Sequence, residues 1–234
     1  LAAQAQRTIR DLERVQEHIA DLKGLRTGRV SLQVAEGVVA GLLAPALAKM
    51  GQRYSHLSFD IDIASSNQMV EALRRGDADI GLSFFMPRHD DIVPYASAEL
   101  NHHAVVAPGH PLATASELSL HTLAKHRLIL PHESYGVRQA LERAAHRANV
   151  VLVPTFKTAS LETQKALAIN GAGVLVLPPM AVARECQLGD LVSVPISSSE
   201  LEAARVDLCV YRHRQRSFAT EACLSLLANA LQTI

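Results

Sequence analysis

The chain has 234 residues, of which 48% are hydrophobic and 20% charged, so it can bury a sizeable core and is neither a disordered tail nor a membrane-embedded segment. Its 23 basic and 23 acidic residues balance, which argues against this segment holding nucleic acid by itself, since such domains concentrate a basic surplus on one face. The length exceeds one compact core and suits two small lobes.

Residues 1–23 contain no Gly or Pro, and Ile9, Leu12, Val15, Ile19 and Leu22 recur at helical spacing. Arg7, Arg10, Asp11, Glu13, Arg14, Glu17, Asp21 and Lys23 occupy the other faces, so this amphipathic helix must bury its single stripe on something. A helix of the same domain is one choice. A partner helix in a dimer is the better one, because Gly24 ends the helix and Thr27-Gly28 sets it apart from the first strand.

From Arg29 the chain alternates strand and helix in short units: a strand over 30–35, a helix over 38–53, a strand over 57–64, a helix over 68–75 and a strand over 79–84. The region 92–107 is apolar with alternating polar residues and carries the first crossover, breaking at the turn Pro108-Gly109-His110-Pro111. The rhythm then resumes with strands over 127–130, 153–157 and 173–177 and helices over 137–149 and 161–169. A last strand over 206–212 and a helix over 218–231 have no partner strand nearby and are expected to return to the first lobe. The lobes are therefore 27–99 with 205–234, and 100–204, after a linker over 1–26.

Several of these segments resemble LysR-type transcriptional regulators. Gly28-Arg29-Val30-Ser31-Leu32 opens the first strand and Leu42-Leu43-Ala44-Pro45 lies in the first helix. Glu71-Ala72-Leu73 with Gly76-Asp77-Ala78-Asp79-Ile80-Gly81 is similar to the family's second helix running into its third strand. Pro108 to Ala113, Ser160-Leu161-Glu162-Thr163, Gly171-Ala172-Gly173-Val174 and Leu177-Pro178 come next in the family's order. The resemblance implies an α/β fold of two Rossmann-like lobes, of the type 2 periplasmic-binding-protein kind, preceded by an amphipathic linker helix. It also implies an effector cleft between the lobes and a homodimer or homotetramer. Promoter DNA would be bound through a winged helix-turn-helix ahead of the linker, which these 234 residues do not contain.

In open α/β sheets, ligands sit beyond the carboxyl ends of strands, where helix N-termini offer free N–H groups. Candidate effector-binding residues at such ends are Glu36, Gly37 and Val38, then Ser65, Ser66 and Asn67, with Phe84 closing the third strand. In the second lobe they are His132, Ser134 and Tyr135 beside Glu133, and Thr158 and Ser160. Ser66, Ser134 and Ser160 are equally explained as helix N-caps. Glu36 stands where members that bind small acids often carry a hydroxyl, so the cleft is expected to suit hydrogen-bond donors or positive charge rather than a simple carboxylate.

Eleven histidines raise a metal site, but His102 and His103 are adjacent on a strand and point to opposite faces, so neither they nor His110 are expected to be ligands. Cys186, Cys209 and Cys223 are odd in number and lack paired spacing, which points to free thiols in a reducing compartment. No run approaches the roughly 18 apolar residues of a membrane span, and the charged start is unlike a signal peptide, so the expected location is the cytoplasm, away from membranes. Nucleophile-elbow, P-loop, zincin and dinucleotide motifs are missing, so no enzyme and no cofactor is expected. A solute-binding protein of a transport system would share the lobes but would need a signal peptide and no N-terminal stripe.

Overall fold

The computed structural model describes residues 28–234, so the stripe over 1–23 lies outside the described residues. The described chain divides into two compact units, 28–98 with 206–234, and 99–205.

Strand β1 (Gly28–Val34) turns Val30, Leu32 and Val34 into the core, at a spacing of two. A single helix is predicted over 38–53, but the chain forms a 3-10 turn (Glu36–Val38), a π turn (Val39–Leu43) and only then α1 (Ala44–Arg53). Pro45 is the reason: it has no N–H for the Gly41 carbonyl, and its ring would crowd that oxygen. The widened turn relieves this, with the Ala44 N–H reaching back five residues to the Val39 carbonyl. Strand β2 (Leu57–Ile63), helix α2 (Ser66–Arg75) and strand β3 (Ile80–Phe84) come next. The stretch read from sequence as a linking region is two strands, β4 (Ile92–Leu100) and β5 (His103–Val106). The unit boundary falls within β4, and the turn at Pro108–Pro111 lies inside the second unit.

That unit continues with a 3-10 turn (Pro111–Thr114), α3 (Leu120–Leu123), β6 (Leu128–Leu130), α4 (Gly136–Arg147), β7 (Pro154–Lys157) and α5 (Leu161–Ile169). Strand β8 (Leu175–Leu177), a 3-10 turn (Pro179–Val182), α6 (Ala183–Leu188) and β9 (Val192–Pro195) complete it. Strand β10 (Ala204–Tyr211) and α7 (Phe218–Leu231) return the chain to the first unit.

The first unit's sheet runs β2-β1-β3-β10-β4, with β1 parallel to both neighbours and β10 antiparallel to β3. Pro94, which cannot donate to a ladder, sits in the edge strand β4, where that costs least. In the second unit β5 pairs antiparallel with β8 and β9, and β6 pairs parallel with β7. The Ile129 N–H donates to the Val174 carbonyl (2.9 Å) and the Val174 N–H to the Arg127 carbonyl (2.8 Å), which sets β6 beside β8. The resulting order β7-β6-β8-β5-β9 repeats that of the first unit, strand for strand.

Central strands are apolar on both faces because helices cover both. In the second unit Leu128, Leu130, Val174, Val176, Ala104 and Val106 pack with Leu141 and Ala144 of α4, while Ile129, Leu175, Leu177 and Val105 pack with Leu161 and Ala168 of α5. Each buried Leu or Val in these layers stabilises by roughly 1.5–3 kcal/mol. In the first unit Met69, Val70 and Leu73 of α2 pack with Ala78, Ile92 and Cys209, and α7 lies on α1 and β1 with Ala219, Cys223, Leu224, Leu227 and Leu231 inward. Edge strand β2 is the exception, since Ile61 and Ile63 are 43% and 57% exposed.

Candidate functional site

In the first unit the parallel run of β1, β2 and β3 brings three carboxyl ends to one edge of the sheet. Backbone bonds knit them together: the Ala35 N–H donates to the Leu82 carbonyl (2.9 Å) and the Ala64 N–H to the Val34 carbonyl (3.0 Å). Glu36 and Gly37 come directly after β1 and are half-buried; Val38 is wholly buried, and its N–H is taken by the Ala35 carbonyl (3.1 Å).

Ser65, rather than Ser66, caps α2. Its N–H donates to Gln68 Oε1 (3.0 Å) and its hydroxyl lies 2.8 Å from the same oxygen, in a capping box. Ser66 is thereby left to face the strand ends, where its hydroxyl lies 3.0 Å from that of Ser83 and 3.3 Å from the Phe84 carbonyl. Asn67 is exposed on the first turn and Phe84 is half-buried. Phe85 beyond it holds φ of 52°, a left-handed backbone that costs a side-chain-bearing residue energy and forces the chain away from β3. Ser83 is the group that sequence reasoning missed here, hidden inside an otherwise apolar strand. Beside it across the ladder lies Asp207, fully buried, which accepts the Ser97 hydroxyl at 2.6 Å.

In the second unit the parallel pair β6 and β7 brings the segments 131–135 and 158–160 to one end. His132 and Ser134 are exposed, and the N-cap position of α4 is Tyr135, which offers no side-chain cap, so Ser134 is not the cap. Ser160 does cap α5, its hydroxyl accepting from the Thr163 N–H (3.2 Å). Thr158 braces that turn, Oγ1 accepting from the Ser160 N–H (3.3 Å) and the carbonyl from Gln164 Nε2 (2.9 Å). Lys157 Nζ lies 2.8 Å from Glu133 Oε1, and this contact holds the Glu133 carboxyl down at about 2. Two further cations were missed. Lys157 ends a strand and looks like ordinary solvated charge, whereas Arg138 lies on the buried face of α4 with Leu141 and Ala145, a placement the helical spacing does reveal.

The histidines hold local structure. His103 Nδ1 lies 2.9 Å from the Ser193 hydroxyl, and His110 Nδ1 accepts the Leu112 N–H (3.2 Å) beside the His126 ring. Burial pushes His102 down to about 4. Among the described residues no group of three or more His, Cys, Asp or Glu is placed to hold a metal ion, and no helix is long and apolar enough to cross a membrane.

Residues 23–232 match the family described as LysR substrate binding domain. The RuBisCO operon transcriptional regulator of Allochromatium vinosum is 26% identical over 186 residues, covering 79% of this chain and 61% of that protein. The chain spans about three fifths of the length of the curated relatives it matches. Two solved domains share the fold. The effector binding domain of QuiR in complex with shikimate superposes with a TM-score of 0.76 at 15% identity, covering 88% of this chain and 98% of that one. The CcmR regulatory domain of Synechocystis PCC6803 in complex with 2-PG gives 0.77 at 20%, covering 89% and 99%. The repeated five-strand topology is thus the two-lobed, type 2 periplasmic-binding-protein-like arrangement of effector-binding domains. With the match running over nearly all of its length, the chain belongs to the LysR substrate-binding domain family, as an effector-binding domain of LysR-type transcriptional regulators.

Proposed function

We propose that the chain senses a small molecule for a cytoplasmic DNA-binding regulator and carries no chemistry of its own. The observation that carries this reading is the family match over residues 23–232, joined to strand ends that gather hydroxyls and one uncapped helix start, that of α4, rather than a nucleophile and its base. The effector is held at the carboxyl ends of the strands. In the first unit Glu36, Gly37, Ser66, Asn67 and Phe84 are the contact set; in the second, His132, Ser134, Tyr135, Thr158 and Ser160 are. Glu36 takes hydrogen-bond donors or positive charge and disfavours an acid at its own end.

The complete regulator is a homodimer or homotetramer that reads promoter DNA through a winged helix-turn-helix ahead of the linker. The effector acts only through its difference in affinity between two states of that assembly. A solute-binding protein would share the fold, but the relatives are named as regulators of transcription. A thermal-shift screen with a metabolite library that includes shikimate and 2-PG tests the reading. A ligand at 100 times its dissociation constant stabilises by about 2.7 kcal/mol. No compound shifting the melt, or turnover of one that does, overturns it.

A further inference from the structure

Among the described residues Asp207 is the one wholly buried carboxylate, and Val206, Leu208, Cys209 and Val210 around it in β10 are all buried and apolar. An apolar side chain of similar size would avoid the cost of taking that charge out of water, so stability alone does not account for it. The polar groups near it line up across the sheet. Strand β10 lies between β3 and β4. On one side Asp207 stands directly across from Ser83, which is 2% exposed, and residues so paired share a face with Cβ atoms about 4.5–5.5 Å apart. On the other side it accepts the Ser97 hydroxyl of β4 at 2.6 Å. Ser83 continues the line to Ser66 at the start of α2, the two oxygens lying 3.0 Å apart. Four side chains thus form one polar row from the strand ends to the edge strand β4.

Both ends of the row stand at places that matter. Strand β4 leaves the first unit after residue 98 and β10 re-enters it at residue 206, so Ser97 and Asp207 clasp the two segments that pass between the units, each one residue inside the boundary. At the other end protons are limited. Ser66 and Ser83 carry one hydroxyl proton each, and each oxygen also lies 3.3 Å from the Phe84 carbonyl. When a ligand draws the Ser66 proton outward, that carbonyl is left to Ser83; when the proton stays inward, the two hydroxyls compete for it. The direction of the Ser83 O–H dipole therefore depends on Ser66, and it lies beside a buried negative charge, where a low dielectric makes the interaction strong.

We propose that Ser83 and Asp207 are positioning residues that couple the strand-end site to the crossing strands, so that the state of the Ser66 hydroxyl sets how firmly β4 and β10 are clasped. This rests on the effector-sensing reading above in taking Ser66 as a contact, but the test uses no effector.

The test is native-state hydrogen exchange of the whole chain, read in peptides over 96–100 and 204–208 relative to peptides of β1. Ser97 lies two strands from Ser83, roughly 9–10 Å by strand spacing, and substitutions that far apart normally act independently. Ser97→Ala removes the clasp and should speed exchange at both crossing strands. Ser66→Ala touches neither strand, yet should speed it there by at least about threefold. The double variant should exchange as Ser97→Ala alone does, because Ser66 acts through that clasp. In a Ser83→Ala background, Ser66→Ala should have no further effect. Asp207→Asn, which keeps an acceptor for Ser97 but loses the charge, should silence Ser66→Ala in the same way; if that variant does not fold, Ser83→Ala decides the matter.

The row is overturned if Ser66→Ala exchanges as wild type does at the crossing strands. It is equally overturned if Ser66→Ala has the same fold effect with Ser97 or Ser83 already replaced. Either result leaves the sensing function standing, since that is judged by the metabolite screen.

Discussion

A methyl group added at Gly173 would meet the Arg127 carbonyl oxygen at 2.5 Å, and that oxygen belongs to backbone that cannot rotate away. Relaxed carbon–oxygen contacts lie at about 3.3 Å or more, so Gly173→Ala must open the gap by about 0.8 Å. The same oxygen accepts the Val174 N–H at 2.8 Å, and Val174 in turn accepts the Ile129 N–H at 2.9 Å. Separating the chains therefore strains the pair of bonds that joins β6 to β8. Overpacking a rigid site costs about 1–3 kcal/mol and a weakened buried hydrogen bond about 1 more, which gives roughly 2–4 kcal/mol in all. At about 2–4 °C per kcal/mol for a chain of this size, the melting midpoint should fall by on the order of 5–15 °C.

Two glycines supply the comparison. At Gly81 the added methyl meets Leu73 Cδ1 at 3.1 Å and Met86 Cε at 3.3 Å, both flexible side-chain ends, so Gly81→Ala should cost less than about 1.5 kcal/mol. Gly171 has open space but φ of +73°, so Gly171→Ala should cost about 1–2 kcal/mol from the backbone alone. Urea denaturation and calorimetry of the three variants would rank them. If Gly173→Ala proves the mildest, the rigidity assigned to the β6–β8 junction is wrong.

Ser65→Ala should cost about 0.5–2 kcal/mol by removing the cap of α2, whereas Ser66→Ala should leave helix stability nearly unchanged; urea midpoints separate the two. Because His102 is pushed from 6.5 down to about 4, the unfolded chain binds a proton that the fold refuses. Stability should thus fall as pH drops from 6.5 towards 4, by up to about 1.4 kcal/mol per unit, and the slope should flatten in His102→Gln. Denaturation midpoints at pH 7 and pH 5 that coincide would contradict this. Glu36→Ser should weaken amine-bearing metabolites and improve matched acids in parallel titrations, and equal affinities would dismiss a ligand-facing Glu36. Leu12→Asp with Ile19→Asp should leave the lobes folded but weaken self-association by sedimentation, and an unchanged oligomer would mean that the lobes hold it together.

Where a helix start is marked by a hydroxyl and its body by steady apolar spacing, sequence alone located it to the residue. Helix α5, capped by Ser160, and helix α7, with its stripe from Ala219 to Leu231, show this. Where two devices compete for one position, reading failed. Ser65 and Ser66 are both good caps, and only the reach of Gln68 decides between them. Pro45 is tolerated at a helix start, so the π turn that precedes it leaves no separate mark in the sequence. Strands β5 and β9 were missed because each is four residues long and their pairing is settled across about 90 residues of chain. The candidate strand ends were legible because topology puts loops there, but Ser83 was not, since its hydroxyl is satisfied by Ser66 from another element.

The insertion of one unit into the other dictates an order of assembly. The second unit is contiguous, so all its strands have been synthesised before residue 206 is added. The first unit has no such freedom: β10 lies between β3 and β4, and its partner Phe84 precedes Val206 by about 120 residues. Until that late segment arrives, β3 presents an unpaired edge to its surroundings, an invitation to wrong pairing that a nascent chain must survive. Removing α7 and the end of β10 would accordingly leave one half able to fold and the other a target for chaperones and proteases.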